Sequence, residues 1–574
     1  MSTERRSLLQ RALRVLLGLG AVVVIALTVA AWWFTQHGEA WLDRTLRERI
    51  AEVIDEASVE GYRFTMEELV TDVRSGDLSV TGVRLEFAPE LLDSLRSGAY
   101  HYLFEATVDR IELRGLSFWR LLWRKEFRVR AFELKGPSFQ YLISGVAVDL
   151  ADPFSRVGGG SSIPLLSADS VLIRRASARV QDLGDRLPVM NIDDLSLTAV
   201  DVHTYMAMRR NGVRLAVGDA DVEARGASMQ LADGANLRIG SVRLSVGEQR
   251  GHVFQLQHEA LPGPADTLAR SVTQLFVDSI VLEHFEVDRL ISHQQVSTGH
   301  VSVHGLRMHV ELDKTLGPAP RSSRMLPPQA LLDLGFPIRV DTLSVYAAHV
   351  LYRERDDGTE QWGELPFSEL NAEFHHIANG PVAIKEHPRI IGEVSGLIFD
   401  TALVRCRYEA DLDGSQRFTI HATLAEMPVT VLNGMTRPLM RMQMQSGSLE
   451  YLEMDLEGDD RKAKGSMAIR YADLKVRVEP GTSRKLFTSM FGNVLETMLK
   501  ETYGGGLSAD RQRKFNIARD PEKAFTGYLW HATREGLARN LVPEAWGRVR
   551  DMLRSDADER RELRARRRAR QKGP

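Results

Sequence analysis

The stretch FRVRAFELK, residues 127–135, contains the pattern that decides the fold. Its apolar residues Phe127 and Val129 alternate with arginines, and the alternation resumes after Ala131 with a glutamate and a lysine as polar partners. Successive side chains of a β-strand point to opposite faces of its sheet, so an apolar residue at every second position turns one face to a core and the other to water. The stretch therefore predicts a half-buried β-strand.

The same period of two recurs over most of the body, residues 59–480. Turn chemistry, as at Lys135-Gly136-Pro137, separates the alternating runs. Many such runs in sequence predict a mainly β fold with one extended sheet. The other alternating sets are Val83/Leu85/Phe87, Ile111/Leu113, Leu237/Ile239, Val242/Leu244/Val246, Leu306/Met308/Val310/Leu312, Phe418/Ile420/Ala422/Leu424 and Met467/Ile469/Tyr471.

Weak internal repeats support the prediction of an extended sheet. Residues 170–202 align with residues 342–377, because each copy begins with a strand, continues into a second strand that ends in a charged turn, and adds a third strand. Residues 276–292 with 299–312 form a looser third copy. The apolar face of such a sheet must be covered. Two arrangements remain open: the sheet packs on itself as a sandwich, or it curls into a trough that shelters acyl chains.

The N-terminal region predicts a membrane anchor. Residues 15–34 read VLLGLGAVVVIALTVAAWWF without a charge, and as a helix they are about 30 Å long, which matches a bilayer core. Arginines dominate residues 1–14, so this end is predicted to be cytoplasmic and the body to lie across the membrane. Trp32 and Trp33 fit an interfacial anchor. The alternative is a cleaved signal peptide, with a small-residue cleavage site at residues 29–31.

Helical periodicity predicts two further segments beside the strands. Residues 35–58 have an apolar stripe at helical spacing and predict an amphipathic helix that leaves the membrane. Residues 481–546 predict a C-terminal segment of amphipathic helices, the last of them starting at Asp520-Pro521. The tail, residues 547–574, is rich in arginine and is either a solvated end or a contact for anionic lipid headgroups or an acidic partner.

Composition and motifs give no sign of catalysis. The net charge is −3 and Cys406 is the single cysteine, so no intramolecular disulfide or cysteine metal cluster can form. Phosphate-binding, zinc-helix and serine-elbow motifs are absent from the sequence. Adjacent His375 and His376 point to opposite faces of a strand and cannot share an ion. The sequence predicts no enzymatic activity, no cofactor, no metal site and no nucleic-acid partner.

Several segments together with the N-terminal helix resemble the AsmA-like family of inner-membrane-anchored envelope proteins. The resemblance covers most of the chain after Met66. It implies a single-pass inner-membrane protein with a periplasmic body, and an elongated, curved antiparallel β-sheet that forms a long apolar groove for lipids. The segments are LSVTGVRLEF (78–87), FELKGPSF (132–139), VLYRERDDG (350–358), SGSLEYLEMDL (446–456), GSMAIRYADLKVRV (465–478) and RDPEKAFTGYLWHATREGLARNL (519–541).

The function predicted from this combination is the carriage of phospholipid or another amphiphile along the groove, in outer-membrane and envelope homeostasis. The inner membrane is one expected partner, and an outer-membrane or envelope protein is another. The alternative is a structural or assembly scaffold that offers its sheet edge to outer-membrane proteins without transporting lipid. The residues predicted from alternation to line the groove are Val83, Leu85, Phe87, Ile111, Leu113, Leu343, Val345, Ile420 and Leu449.

Overall fold

The structure is a computed structural model that describes residues 62–541 with internal gaps. The predicted segments 1–14, 15–34, 35–58 and 547–574, with Trp32 and Trp33, lie outside the described residues. Among the described helices, none has both the length and the apolar composition that crossing a bilayer requires. The gaps are residues 73–74, 98–101, 118–125, 144–164, 183–189, 208–211, 232–234, 261–270, 288, 291–294, 316–322, 356–359, 441 and 479–506.

The described residues form one large, mostly antiparallel sheet of 23 strands, which confirms the mainly β prediction. The chain divides into two compact units, and strands β1 to β13 belong mainly to unit 1. The strands of this part are β1 (Tyr62–Thr65), β2 (Glu68–Asp72), β3 (Asp77–Phe87), β4 (Tyr102–Arg114), β5 (Glu126–Lys135), β6 (Ser138–Ile143), β7 (Leu165–Asp182), β8 (Met190–Ala207), β9 (Gly212–Gln230), β10 (Asn236–Ser245), β11 (Arg250–Glu259), β12 (Ser271–Glu283) and β13 (Val296–His304).

Unit 2 holds most of the remaining strands and four of the five described α-helices, while α1 (Leu91–Arg96) belongs to unit 1. A short 3₁₀ helix, Val429–Leu432, precedes α4. The other elements are β14 (Arg307–Asp313), α2 (Pro327–Leu332), β15 (Ile338–Arg355), β16 (Gly363–Ala378), α3 (Pro381–Glu386), β17 (Arg389–Ile398), β18 (Ala402–Asp411), β19 (Phe418–Leu424), β20 (Met427–Pro428), α4 (Asn433–Met440), β21 (Met442–Gly458), β22 (Lys462–Val478), β23 (Leu507–Ala518) and α5 (Phe525–Leu541).

The sheet is mixed, so the predicted antiparallel pairing holds for most strands but not for all of them. Strands β5 and β6 both run parallel to β7, and β14 runs parallel to β15. Strand β4 pairs antiparallel with both β5 and β6, which therefore act as one strand interrupted at Gly136. A parallel neighbour needs a long crossover connection. Residues 144–164, between β6 and β7, supply that length.

The structure divides the copies of the predicted repeat into strands differently from the sequence interpretation. Strands β7 and β15 are each single strands of 18 residues, with a left-handed residue near the middle: Arg175 at φ 55° and Ala347 at φ 47°. A bulge of this kind shifts the alternation of apolar and polar residues by one position. In the sequence, a single strand with such a bulge therefore resembles two separate strands. The looser third copy is instead β12 to β14, the counterpart of β4 to β6. Gly305, at φ 64°, separates β13 from β14 as Gly136, at φ 60°, separates β5 from β6.

A line of backbone irregularities, here called the crease, crosses the strands of unit 1. Between Ile239 and Ser241 the register of β10 skips Gly240, and the facing residues Gly226 on β9 and Gln255 on β11 are skipped as well. Gly226 and Gln255 both have positive φ. Each strand has one extra residue at the crease, so the apolar positions change from even to odd numbers or the reverse. As a result, the apolar side chains before and after the crease lie on the same face of the sheet. The crease consists of Gly82, Asp109, Gly136, Arg175, Asp193, Gly226, Gly240, Gln255 and Asp278.

The main core of unit 1 lies on the apolar face of β3 to β9 on both sides of the crease. Val80 and Val83 flank Gly82, and Ile192 and Leu195 flank Asp193, yet all four pack in the same core cluster. The phase shift at the crease allows these residues to pack in one core although the two residues of each pair are an odd number of positions apart. The predicted strands Leu237/Ile239 and Val242/Leu244 are accordingly one strand, β10.

Helix α5 packs on the apolar face of unit 2 at β21 to β23, and it begins at Phe525 rather than at the predicted Asp520-Pro521. Tyr528 and Ala532 of α5 are almost fully buried against Phe418, Met467 and Phe515 of the sheet. The prediction of a helical segment over residues 481–546 is wrong at residues 507–518, which form β23, while residues 481–506 and 542–546 lie outside the described residues. Strand β23 pairs antiparallel with β22, and its buried Phe515 and Ile517 show the period of two that helical periodicity in the flanking residues obscured.

A charge network stabilises the polar face of β4, β5 and β7. Glu112 and Glu133 face each other directly in register. Lys135 donates to Glu112 at 2.6 Å and Arg114 donates at 2.6 Å, while Arg174 donates to Glu133 at 2.8 Å. The hydrogen bonds from Lys135 and Arg114 hold the pKa of the Glu112 carboxyl at about 2. The facing carboxylates are therefore neutralised by cations from three strands.

We expect this network to make the stability of the protein depend on acid pH. The pKa of Glu112 is lower in the folded chain than its usual value of 4.5, so its contribution is complete above about pH 4.5 and is lost as pH falls toward 2. Replacing Glu112 with glutamine should flatten the fall of the urea midpoint between these pH values. The exposed Glu90→Gln change should leave the fall as in the wild type, and an unchanged profile in Glu112→Gln would contradict the account.

Candidate functional site

An apolar strip crosses strands β8 to β13 on one face of unit 1. Each strand contributes two or three apolar side chains, and they lie on both sides of the crease. At a strand spacing of about 4.8 Å, six strands span about 24 Å. One leaflet of a bilayer core is about 15 Å thick, so the strip is long enough for an acyl chain. The strip is defined as Ile192, Leu195, Leu197, Val222, Ala224, Ala227, Ile239, Val242, Leu244, Val253, Leu256, Val277, Ile280, Leu282, Val301 and Val303.

The strand register aligns these side chains into continuous rows. Directly facing side chains in an antiparallel pair are about 5 Å apart, close enough to leave no polar gap. Glycine stands in for a side chain at one position of the first row, Gly251. The three rows are Leu197–Val222–Leu244–Gly251–Leu282–Val301, Leu195–Ala224–Val242–Val253–Ile280–Val303, and Ile192–Ala227–Ile239–Leu256–Val277.

Burial changes along the strip. At the β8 end, Leu195 is 3% exposed and belongs to the main core of unit 1. From β9 onward the strip residues are half-buried, apart from Val277 at 3%. The core clusters of the described residues include nothing from β10 to β13. The strip therefore begins in a packed core and continues as an apolar surface that still has contact with solvent.

The opposite face of the same strands is charged. Glu223 on β9 pairs with Arg225 at 2.9 Å and with Arg243 of β10 at 3.2 Å. His252 on β11 faces Arg243 in register and stacks on Phe254 at 5.8 Å. Charged side chains keep this face in water at β9 and β10, whereas at β12 it also carries Phe276 and Val281.

The nine residues predicted to line a groove fall into two groups. The predicted residues on β3 and β4 all lie on one face of the sheet. A row of facing residues leads from Ile111 through Leu134 and Ile173 to Leu197 of the strip. Val83, Leu113, Ile420 and Leu449 are buried in core clusters. Leu85, Phe87, Ile111, Leu343 and Val345 are half-buried.

Sequence reasoning did not single out the strip as a site. Its strands were visible, but which of their residues share a face depends on the crease at Gly226, Gly240 and Gln255. The sequence does contain a signal for the crease, because the apolar residues change from odd to even positions there. The apolar residues are Leu237 and Ile239 before Gly240, and Val242 and Leu244 after it, so the alternation shifts by one position at Gly240.

A concave feature, here called the polar cavity, lies in unit 2 and has a volume of about 490 Å³. Its walls include a row of charged residues that face each other across β16 to β19, in the order Glu373, Glu393, Arg407 and His421. Cys406 on the other face of β18 is half-buried, and burial raises the pKa of its thiol. The lining also includes apolar side chains, among them Val345 and Val394, so the cavity combines charges of both signs with apolar surface.

No protein-family model matches the chain, and no curated protein matches it.

Proposed function

We propose that the chain binds phospholipid or another amphiphile along the apolar strip. The observation that supports this most is the combination of register and burial: three aligned apolar rows whose side chains on β10 to β13 are half-buried, apart from Val277, and belong to no core cluster of the described residues. Soluble proteins rarely leave a contiguous apolar surface of this kind without a ligand or partner to cover it. Charged side chains on the opposite face at β9 and β10 favour the strip as the side that such a ligand binds.

The energy available is sufficient for a stable complex. Burying a methylene group contributes about 0.8 kcal/mol, so about ten methylenes on the strip contribute about 8 kcal/mol. Ordering the ligand and losing its free motion offset part of this. The remainder permits binding that is reversible, as a carrier requires.

The wider role follows from the N-terminal segment and the AsmA-like resemblance. An uncharged run at residues 15–34, preceded by arginines, supports an inner-membrane anchor with the body in the periplasm. A strip that begins in a packed core and continues as half-buried apolar rows on β10 to β13 supports movement of amphiphiles along the sheet. We therefore place the protein in lipid carriage for outer-membrane and envelope homeostasis, as a non-enzymatic protein without a cofactor.

The proposal is tested by the lipid that purifies with the full-length chain. The wild-type protein, washed free of loosely bound lipid in mild detergent, should retain phospholipid or another amphiphile that mass spectrometry identifies after extraction. Leu256→Glu places a carboxylate in the strip and should reduce the retained lipid at least about tenfold, because ~1.4 kcal/mol changes binding tenfold and a charge on an apolar site costs more than that.

Gln257→Glu is the matched control. It introduces the same side chain one residue later, on the opposite face, where Arg238 faces it in register. Its retained lipid should equal that of the wild type. Equal retention in Leu256→Glu, with both variants folded by circular dichroism, would contradict the strip as the binding surface. Outer-membrane barrel proteins in place of lipid would favour the scaffold function.

A further inference from the structure

We propose that His421, Glu453 and Asp455 form a site for a divalent transition-metal ion such as Zn²⁺. The three residues lie on the polar face of β19 and β21 in unit 2, and none of them belongs to the apolar strip of unit 1. One imidazole and two carboxylates are a ligand set that Zn²⁺ accepts in proteins. The proposal does not depend on lipid binding.

The strand pairing brings the three ligands together. His421 on β19 faces Asp455 on β21 directly in register. Glu453 precedes Asp455 by two residues, so it lies on the same face of β21. The site is therefore built on two hydrogen-bonded strands rather than on a loop, which holds the backbone of all three ligands in place.

The distances suit a single ion. His421 Nδ1 lies 2.8 Å from Asp455 Oδ1 and 3.8 Å from Glu453 Oε1. The ligand atoms of the three residues all lie within 4.8 Å of one another. Ligands at zinc bond lengths of 2.0–2.1 Å in a tetrahedron are about 3.3 Å apart. The two distances fall on either side of this value, so small side-chain rotations bring the atoms to coordination distance.

The surroundings orient the ligands. Tyr451 donates a hydrogen bond to Oε2 of Glu453, which leaves Oε1 for an ion, and this bond raises the pKa of Tyr451 to about 12. Outer hydrogen bonds of this kind hold metal ligands in position. Arg407 faces His421 from β18, but its guanidinium pairs with Glu409 at 3.1 Å, so its charge is partly neutralised.

A set of three protein ligands leaves a coordination position for water, as in zinc sites that bind further ligands. His421 also lines the polar cavity, so the ion would be reachable from that space. Arg405 and Arg407 line the same cavity. The site therefore differs from the closed, four-ligand sites that serve only structure.

The test is a calorimetric titration of the full-length protein with Zn²⁺, after treatment with a chelator and removal of that chelator. The chain has 16 histidines, so the measurement compares variants rather than counting ions. The wild type should bind one more equivalent of Zn²⁺ than His421→Ala. Asp455→Asn preserves the shape of the site and should weaken this equivalent at least tenfold, and Tyr451→Phe should weaken it by about tenfold.

Substitution with Co²⁺ gives a second, spectroscopic readout. The wild type should show the visible absorption of four-coordinate cobalt, and His421→Ala should lose it. His349→Ala, an exposed histidine of β15, is the control and should keep both the equivalent and the absorption. The proposal is overturned if Zn²⁺ stoichiometry, affinity and cobalt absorption are the same in the wild type and His421→Ala. The three side chains would then be a hydrogen-bonded cluster in solvent.

Discussion

Replacing Phe418 with alanine should lower the free energy of unfolding by about 3–5 kcal/mol, the usual loss for a fully buried phenylalanine. Phe418 is 2% exposed on β19, and its ring meets Phe525 and Tyr528 of α5 edge-on, with centroids 5.2 and 6.0 Å away. The ring also lies over Gly458, the residue that faces it on β21. Truncation would leave a cavity between the sheet and the helix that covers it.

Urea unfolding and hydrogen exchange together measure this loss. The urea midpoint of Phe418→Ala should fall, and amides of α5 should exchange faster than in the wild type, because the helix loses its main aromatic contact with the sheet. Phe254→Ala is the control: this ring is half-buried on the charged face of unit 1, so the same change should cost much less. Equal losses from the two changes would contradict the proposed role of Phe418 in docking α5.

Replacing Gly226 with valine should destabilise the protein by about 2–3 kcal/mol. Gly226 lies on the crease at φ 64°, a left-handed conformation that costs other residues about 1–2 kcal/mol and β-branched residues most. A side chain there would also collide with the carboxylate of Asp193 on β8. Asp193 is exposed and its carboxylate can turn away, so this overpacking adds about 1 kcal/mol, the low end of the usual range. Thermal and urea unfolding of the full chain measure the sum.

Gly414→Val separates the two causes in the preceding prediction. Gly414 has φ 82°, but a side chain built on it meets no atom within 4 Å. The valine at this turn should therefore cost only the conformational part, about 1–2 kcal/mol. If Gly226→Val proves no more damaging than Gly414→Val, the close packing of β8 on β9 at the crease is not a stability determinant.

Much of the fold could be predicted from the sequence, because alternation is a local property. The alternating run at residues 127–135 predicted β5, and the alternating run that starts at Phe418 predicted β19. Parallel pairing of β7 could not be read locally, since it depends on contacts across a long connection. The bulges at Arg175 and Ala347 broke the period within single strands, and local reasoning counted them as strand ends.

The candidate sites depend on register, which the sequence does not contain. Leu256 and Val242 come to the same face through the crease, although their own strands say nothing about which residues face one another. His421 and Asp455 are far apart in sequence, and they meet because β19 pairs with β21 in one register. Alternation predicted the wet face on which His421 lies but not its neighbour across the strands.

Photo-cross-linking in living cells tests the central claim, that the apolar strip holds an amphiphile, most directly. A benzophenone amino acid at Leu244 of the full-length chain would lie in the strip, and the same probe at the neighbouring Arg243 would lie on the charged face, where Arg243 contacts Glu223. After irradiation, mass spectrometry should find a lipid adduct at position 244 and none at position 243. Equal adducts at both positions, or a protein adduct alone at position 244, would contradict the claim.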